Sequence, residues 1–252
     1  AVDRPGGLVV VTGPTGSGKT TTLYACLRRL NRPATKILTV EDPVEYEIEG
    51  IMQVPVNLPA GLTFARALRS FLRQDPDVVM VGEIRDRETA EIATQAALTG
   101  HLVLSTLHTN DAVGAVARLL DLGVEPFLMA STLEAVLAQR LVRRLCPDCR
   151  AGFAPAGGML RELGISVNAG PAPVAFAPRG CVHCQQTGYR GRLGLFEFLS
   201  VSDALRDRVV RGAPETELRA QAVAEGLTSL RAAANAALLA GETSVDEVLR
   251  HT

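Results

Sequence analysis

A phosphate-binding pattern begins close to the start of the sequence. It consists of Gly13, Pro14, Thr15, Gly16, Ser17, Gly18, Lys19 and Thr20. The run fits G-x-x-x-x-G-K-[ST] at every fixed position, with an apolar strand-like segment before it and helical periodicity after it. Its glycines let backbone N–H groups converge on phosphate oxygens, and Lys19 and Thr20 are predicted to contact the β- and γ-phosphates and Mg²⁺ respectively. A glycine-rich turn that binds nothing is the disfavoured alternative, because strand, loop and helix occur in the required order.

Acidic residues follow two of the predicted strands at their carboxyl ends. Glu41 comes directly after the apolar run 37–40, and Glu83 follows the run 78–81 after Gly82. Strand ends of a parallel sheet meet at one edge, so both carboxylates are expected near the phosphate loop. A nucleoside triphosphatase needs one acid near its metal and a group that orients the attacking water. Solvated loop charges are the alternative interpretation of both residues.

The two histidines around the fourth predicted strand are expected to have different roles. His101 opens this strand and His108 follows its end. The intervening strand spans about 23 Å, so the two side chains cannot contact one phosphate. His108 is therefore the candidate γ-phosphate sensor, and His101 is interpreted as structural.

Four of the five cysteines form two C-x₂-C pairs, Cys146 with Cys149 and Cys181 with Cys184. Four thiolates complete the tetrahedral shell of a structural Zn²⁺ site. The gap between the pairs, residues 150–180, is longer than in the common template. Disulfides are the main alternative, and they are disfavoured in the reducing compartment where a nucleotide-dependent enzyme would work. Cys26 is interpreted as core filler.

The elements that must position these residues belong to an α/β class. Short apolar strands at 8–12, 37–40, 78–81 and 102–106 alternate with helical patterns, which predicts a parallel sheet covered on both faces. A polar connection is expected over 43–61, and loop-like segments over 151–158 and 169–178. We predict an ATPase core over residues 1–145, a cysteine insert over 146–199 and a helical C-terminal subdomain over 200–252.

Composition excludes several classes of protein. The chain has 252 residues, 47% of them hydrophobic and 21% charged, with a formal net charge of -1. No apolar run approaches the roughly 18 residues of a membrane span. Near-zero charge and 4% aromatic residues without tryptophan give no electrostatic footprint or stacking platform for nucleic acid. A cytoplasmic globular protein is expected.

Four segments resemble the Walker A, Asp box, Walker B and His box of the type II secretion and type IV pilus assembly ATPases. They are residues 13–20, 39–45, 82–86 and 99–110, and the resemblance continues through 138–141, the four cysteines and 187–192. It implies a RecA-like P-loop core that binds ATP and Mg²⁺, and Zn²⁺ at the cysteines. It also implies that Glu41 orients water and that Glu83 is the acid of the metal site. Arg69, Arg73 and Arg85 are implied as phosphate or subunit-interface contacts, or they are simply solvated charges.

The resemblance also implies how such a motor works. Family members form hexameric rings and act on inner-membrane secretion platform proteins, which places them in the cytoplasm, peripheral to that membrane. They carry a further N-terminal domain that contributes arginines to the nucleotide. Because that domain is not in this sequence, we interpret the sequence as a fragment that hydrolyses ATP slowly and is mostly monomeric.

Type II secretion is the favoured function, and pilus extension is the close alternative. Retraction motors of the family generally lack the cysteine quartet, which argues against that role. A scaffold that binds ATP with little turnover is a further alternative, and it is disfavoured because such a protein needs neither Glu41 nor Glu83.

Overall fold

The computed structural model describes residues 1–165 and 173–252. Its strands are β1 Gly7–Thr12, β2 Ile37–Glu41, β3 Met52–Pro55, β4 Val78–Val81, β5 Leu102–Leu107, β6 Leu133–Leu145, β7 Ala151–Phe153, β8 Ala175–Ala177 and β9 Tyr189–Ser200. Its α-helices are α1 Lys19–Leu30, α2 Phe64–Phe71, α3 Arg87–Leu98, α4 Ala112–Asp121, α5 Pro126–Thr132, α6 Gly157–Glu162, α7 Asp203–Val210, α8 Glu215–Ala224, α9 Leu230–Leu239 and α10 Val245–His251. Among these residues, no helix is both long enough and apolar enough to span a bilayer.

Seven strands form one sheet in the order β3-β2-β4-β5-β1-β6-β9. The pairs β2–β3, β2–β4, β4–β5, β1–β5 and β1–β6 are all parallel. Every residue of β1, β2, β4 and β5 is buried, so both faces of this part of the sheet are covered. The predicted α/β class with a parallel sheet is confirmed.

The core below the phosphate loop packs the inner face of α1 against the sheet. Leu23, Tyr24 and Leu27 from α1 cluster with Val9 of β1 and Met80 of β4. All five side chains are at most 5% exposed. This packing holds the first turn of α1 directly beyond the end of β1, where the sequence predicts the phosphate loop.

The helix starts follow local capping chemistry at most of the longer helices. Side-chain oxygens accept a hydrogen bond from the first turns of α2, α3, α4, α7, α9 and α10. The capping residues are Thr63, Asp86, Asp111, Ser202, Ser229 and Ser244. Such caps satisfy N–H groups that the helix leaves without an internal partner. The 12-residue helix α1 begins instead after Gly18, without a side-chain cap.

The described residues form two compact units. The first comprises Ala1–Ala138 and Phe198–Leu227, and the second comprises Gln139–Glu197 and Thr228–Thr252. In the first, α7 packs against α5 and α8 against α4. In the second, α9 and α10 pack against β8. The predicted boundaries at 145 and 199 stay predictions, and the structure adds a division between α8 and α9 that the sequence patterns did not indicate.

Two segments predicted as irregular contain regular structure. The polar connection 43–61 includes β3, which pairs with β2 even though two of its four residues are exposed and two are only partly buried. The segment 151–158 includes β7, which pairs antiparallel with β8. Leu160, Leu163 and Ala175 are buried among the described residues of this region. Of the predicted loop 169–178, residues 169–172 lie outside the described residues.

Candidate functional site

The phosphate loop has the backbone geometry that an anion site requires. Gly16 and Gly18 have φ values of 79° and 88°, which favour glycine, and the space beside the Gly16 Cα is open. Within the described residues, no side chain caps the first N–H groups of α1, and its first turn contains no acidic residue. The positive end of the helix therefore lies at the loop, an arrangement that favours an anion there.

The Lys19 side chain hydrogen-bonds to the backbone of its own phosphate loop. Its Nζ donates to the carbonyl oxygens of Gly13 at 2.8 Å and Pro14 at 3.1 Å. The side chain is mostly buried, with the residue 9% exposed. The ammonium is thus held inside the loop by carbonyl groups, in a position from which it can turn toward a bound phosphate.

The strand order brings the predicted strand-end residues to one edge of the sheet. Along β2-β4-β5-β1, Glu41 ends β2, Glu83 follows β4, His108 follows β5 and the phosphate loop follows β1. Parallel pairing places all four of these carboxyl ends at the same edge. The sheet therefore assembles the predicted residues that are distant in sequence.

The two carboxylate oxygens of Glu83 differ, because one is paired with a cation and the other has no hydrogen-bond donor. Its Oε1 lies 2.5 Å from Nη2 of Arg85. Its Oε2 is buried and makes no hydrogen bond to any residue that the structure describes. The His108 Nε2 lies 3.4 Å away, which is an ion-pair distance rather than a hydrogen bond. A buried carboxylate oxygen without a donor is a suitable ligand for a divalent cation, so the donor set fits Mg²⁺.

The position of Glu83 is set by its neighbours on both sides. The Thr106 hydroxyl donates to the Gly82 oxygen at 2.7 Å, and the Ile84 N–H donates to the Thr106 oxygen at 3.0 Å. Gly82 itself lies so close to β2 that a Cβ would be 3.2 Å from the Val40 oxygen. This close approach favours glycine before Glu83, at the place where phosphate-loop nucleotide enzymes usually carry a strand-end aspartate.

Glu41 is enclosed by hydrogen-bond donors. It is 2% exposed. The Tyr24 hydroxyl donates to Oε2, while the Thr39 hydroxyl at 2.5 Å and the Gln53 amide at 3.0 Å donate to Oε1. Both oxygens of this carboxylate therefore accept hydrogen bonds, whereas in Glu83 only Oε1 has a close partner.

The two histidines are separated as their spacing predicts. The His101 Nδ1 contacts the Ala96 oxygen at 3.0 Å and the Thr99 hydroxyl at 3.1 Å, so this ring secures the turn before β5. The His108 side chain is 49% exposed and faces Glu83. Only His108 lies at the edge with the phosphate loop, and its role as a phosphate sensor stays a prediction.

The three candidate arginines have local partners. Arg69 pairs with Glu88 at 2.5 Å, and Arg73 donates to the Arg69 oxygen at 3.1 Å. The Arg85 side chain is 66% exposed although it pairs with Glu83. Contacts of these arginines with phosphate or with another subunit stay predictions.

The four cysteines of the second unit come together as one sulfur cluster. Their Sγ atoms all lie within 4.8 Å of one another. The separations are 3.9 Å for Cys146–Cys181, 3.8 Å for Cys149–Cys184 and 3.7 Å for Cys181–Cys184. Four sulfurs at 2.3 Å from a tetrahedral Zn²⁺ would be about 3.8 Å apart. None of the four forms a disulfide bond. The cluster is compatible with zinc.

Backbone groups prepare Cys184 to carry negative charge. Burial raises its pKa, but N–H groups of Cys181 and Gly188, each 3.2 Å from its Sγ, together with the Cys181 and Cys149 thiols, outweigh burial and lower the pKa to about 6. By contrast, burial raises the pKa of Cys146 to about 11. His183 pairs with Asp148 at 3.0 Å and is not part of the sulfur cluster.

Sequence reasoning missed the residues that hold the two glutamates. Tyr24 resembles an ordinary core residue of α1, and Gln53 lies in a segment predicted as a polar connection. Thr39 and Thr106 are hydroxyl residues inside fully buried, mainly apolar strands, which also contain Glu41 and Ser105 respectively. Buried polar groups require partners, so polar residues within apolar strands are the signal that identifies such positions.

Sequence comparisons place the chain among secretion and pilus proteins. The family model described as "Type II/IV secretion system protein" matches residues 1–250. "Type II secretion system protein E" of Klebsiella pneumoniae is 55% identical over 251 residues, which cover 100% of this chain and 50% of the relative. "Type IV pilus assembly ATPase PilB" of Myxococcus xanthus is 51% identical, covering 100% of this chain and 45% of the relative. The chain thus spans about half the length of these curated relatives.

Solved structures of similar fold agree with this placement. The pilus retraction motor PilT with bound ADP superposes with a TM-score of 0.73 at 28% identity, covering 100% of this chain and 62% of that chain. The Legionella pneumophila ATPase DotB superposes with a TM-score of 0.71 at 26% identity, covering 98% of this chain and 60% of that chain.

Proposed function

This chain belongs to the family of type II/IV secretion system proteins, and we propose that it is the ATP-hydrolysing part of a motor that powers type II secretion. The observation that carries the proposal is the joint placement of the phosphate loop and the open, buried oxygen of Glu83 at one sheet edge. A turn that binds nothing would leave the buried Glu83 oxygen without a donor unexplained.

Each residue of the site has a distinct task in this proposal. ATP with Mg²⁺ supplies the phosphoryl group and the cation that neutralises its charge. The loop of residues 13–20 binds the phosphates through the Lys19 ammonium and through its backbone N–H groups, which every residue except Pro14 has. The Thr20 hydroxyl and Glu83 would hold the cation. The Glu41 carboxylate, held at the end of β2, orients the attacking water. His108 senses the γ-phosphate. The cysteine cluster binds Zn²⁺ as a structural site.

Type II secretion is favoured over pilus extension because the type II secretion relatives have the higher sequence identity to this chain. The protein E sequences of Klebsiella pneumoniae and Pseudomonas aeruginosa are 55% and 54% identical, against 51% for the pilus assembly ATPase of Myxococcus xanthus. The margin is small, so pilus extension is the second candidate. In either case the proposal includes a hexameric ring of the full-length protein, cytoplasmic at the inner membrane, acting on secretion platform proteins.

The phosphate site is tested with the two lysines of the chain. We expect Lys19→Ala to abolish ATP binding and turnover, because the ammonium neutralises charge on the transferred phosphoryl group. Lys36→Ala is the matched control, since the Lys36 ammonium contacts the Gln74 oxygen instead. Equilibrium binding of a fluorescent ATP analogue and phosphate release are measured for both variants. Unchanged affinity and rate in Lys19→Ala would remove the assignment.

The type of motor is tested by activation of turnover. A secretion or pilus motor is expected to respond to a membrane-platform fragment with acidic phospholipid, whereas a nucleic-acid motor responds to DNA. The same phosphate-release assay measures both additions. Stimulation by DNA alone would contradict the proposed function.

A further inference from the structure

We propose that Tyr24 and Gln53 are positioning residues that hold the Glu41 carboxylate for the reaction, an inference that rests on the proposed ATPase function. Neither residue is part of the phosphate loop, and neither is one of the two strand-end glutamates. Both act through Glu41, which they contact with hydrogen bonds on different oxygens.

Tyr24 connects Glu41 to the helix that begins in the phosphate loop. It lies five residues beyond Lys19 on α1, about 7.5 Å along the helix axis. Its side chain is fully buried in the core, and its hydroxyl donates to the Glu41 Oε2. Burial and the hydrogen bond to Glu41 raise the pKa of Tyr24 to about 12, so the hydroxyl stays a donor. Tyr24 therefore connects the helix that begins in the phosphate loop directly to the Glu41 carboxylate.

Gln53 restrains the same carboxylate from the edge strand β3. Its Nε2 lies 3.0 Å from the Glu41 Oε1 and 3.3 Å from the Tyr24 hydroxyl. Its Oε1 accepts from the Ile48 N–H at 2.6 Å, which fixes the amide orientation. The Glu45 N–H also donates to the Tyr24 hydroxyl at 3.2 Å. The network therefore ties α1, β2, β3 and the segment after β2 to one carboxylate.

Because Glu41 is buried, these donors alone set the orientation of its carboxylate. At 2% exposure, with donors on both oxygens, the carboxylate has one orientation fixed by protein groups rather than by water. Charge that is fixed before the reaction needs no rearrangement during it, which is how enzymes obtain most electrostatic stabilisation. Loss of one donor frees the group to rotate or to bind water in a different place.

The decisive experiment compares Tyr24→Phe with Tyr46→Phe. Tyr46 packs its ring on Tyr24 at 4.7 Å, but its hydroxyl has no hydrogen-bond partner among the described residues. We expect Tyr24→Phe to lower kcat by on the order of 10- to 100-fold with little change in KM for ATP, as for a lost hydrogen bond to a charged group. Tyr46→Phe is expected to keep the wild-type kcat. Melting temperatures are measured to verify folding.

A double-mutant cycle with Glu41→Gln separates positioning from a general structural role. If Tyr24 acts through Glu41, Tyr24→Phe lowers kcat in the wild type but changes it little in the Glu41→Gln background. Gln53→Leu is the second variant and is expected to show the same dependence. Independent, multiplying effects of Tyr24→Phe and Glu41→Gln would overturn the inference, as would a wild-type kcat in Tyr24→Phe when Glu41→Gln is slow. A wild-type chain that neither binds nor hydrolyses ATP would instead overturn the proposed function itself.

Discussion

At the scale of single residues, the two strand-end glutamates differ in what their oxygens contact. Glu41 is satisfied on both oxygens by protein donors, whereas the Glu83 Oε2 is buried without one. A satisfied carboxylate supplies fixed charge and orientation, while an unsatisfied one is ready to bind a cation. This difference supports the metal role for Glu83 that the family resemblance implies.

The Glu83 role leads to a prediction about binding and turnover. Glu83→Gln keeps the shape of the side chain but removes the charge near the metal. We expect ATP affinity to be retained and phosphate release to fall by at least about 100-fold. Glu91→Gln, which alters a glutamate that pairs with Arg87 on the surface of α3, is the matched control. Normal turnover in Glu83→Gln would transfer the metal role to Glu41.

At the scale of elements, the end of β5 links the other strand ends. Thr106 contacts the backbone on both sides of Glu83, and Thr109 contacts Thr12 at the end of β1 with 2.8 Å between the hydroxyl oxygens. His108 lies between these two contacts in sequence. The position of Glu83 relative to the phosphate loop therefore depends on hydroxyl groups of β5 and the residues that follow it.

A pair of substitutions in β5 tests this dependence. Thr106→Val preserves shape but removes the donor to the Gly82 oxygen, and Ser105→Ala removes a similar bond of 2.8 Å to the Val81 oxygen. Each is expected to reduce the free energy of unfolding by about 1 kcal/mol. Only Thr106→Val is expected to lower turnover, by about 10-fold, because only Thr106 flanks Glu83. Equal rates in both variants would show that Thr106 serves stability alone.

At the scale of the whole molecule, the two units differ in how they obtain their order. The first has a buried parallel sheet, whereas the second contains the short strands β7 and β8 and the sulfur cluster. Ionic contacts also order the second unit, including Arg143 with Glu247 at 2.8 Å. Zinc bound to four thiolates would supply folding free energy to this unit, on the order of 10 kcal/mol.

We expect about one zinc per chain by elemental analysis, from the closed tetrahedral site. Removal of the metal is expected to increase hydrogen exchange in β7 and β8 while exchange in β1 and β5 stays slow. The double variant Cys146→Ser with Cys181→Ser should lose the zinc, and Cys26→Ser should retain it. A stoichiometry near zero, with four titratable thiols and unchanged melting, would contradict the zinc assignment.

The sequence by itself determined the elements and the chemistry that depend on neighbours along the chain. Periodicity identified β1, β4 and α3, because burial of one helix face or a whole strand depends on local spacing. The phosphate loop and the cysteine pairs were identified for the same reason, since each chemical function needs fixed residue types at short intervals.

Only the tertiary structure decided what depends on contacts between distant segments. The pairing of β3 with β2, the donors around Glu41 and the open oxygen of Glu83 arise from the order of strands in the sheet. The division between α8 and α9 likewise follows from which surfaces those helices cover. Sequence spacing carries no record of such contacts, because a hydrogen bond between residues far apart requires that folding bring them within about 3 Å.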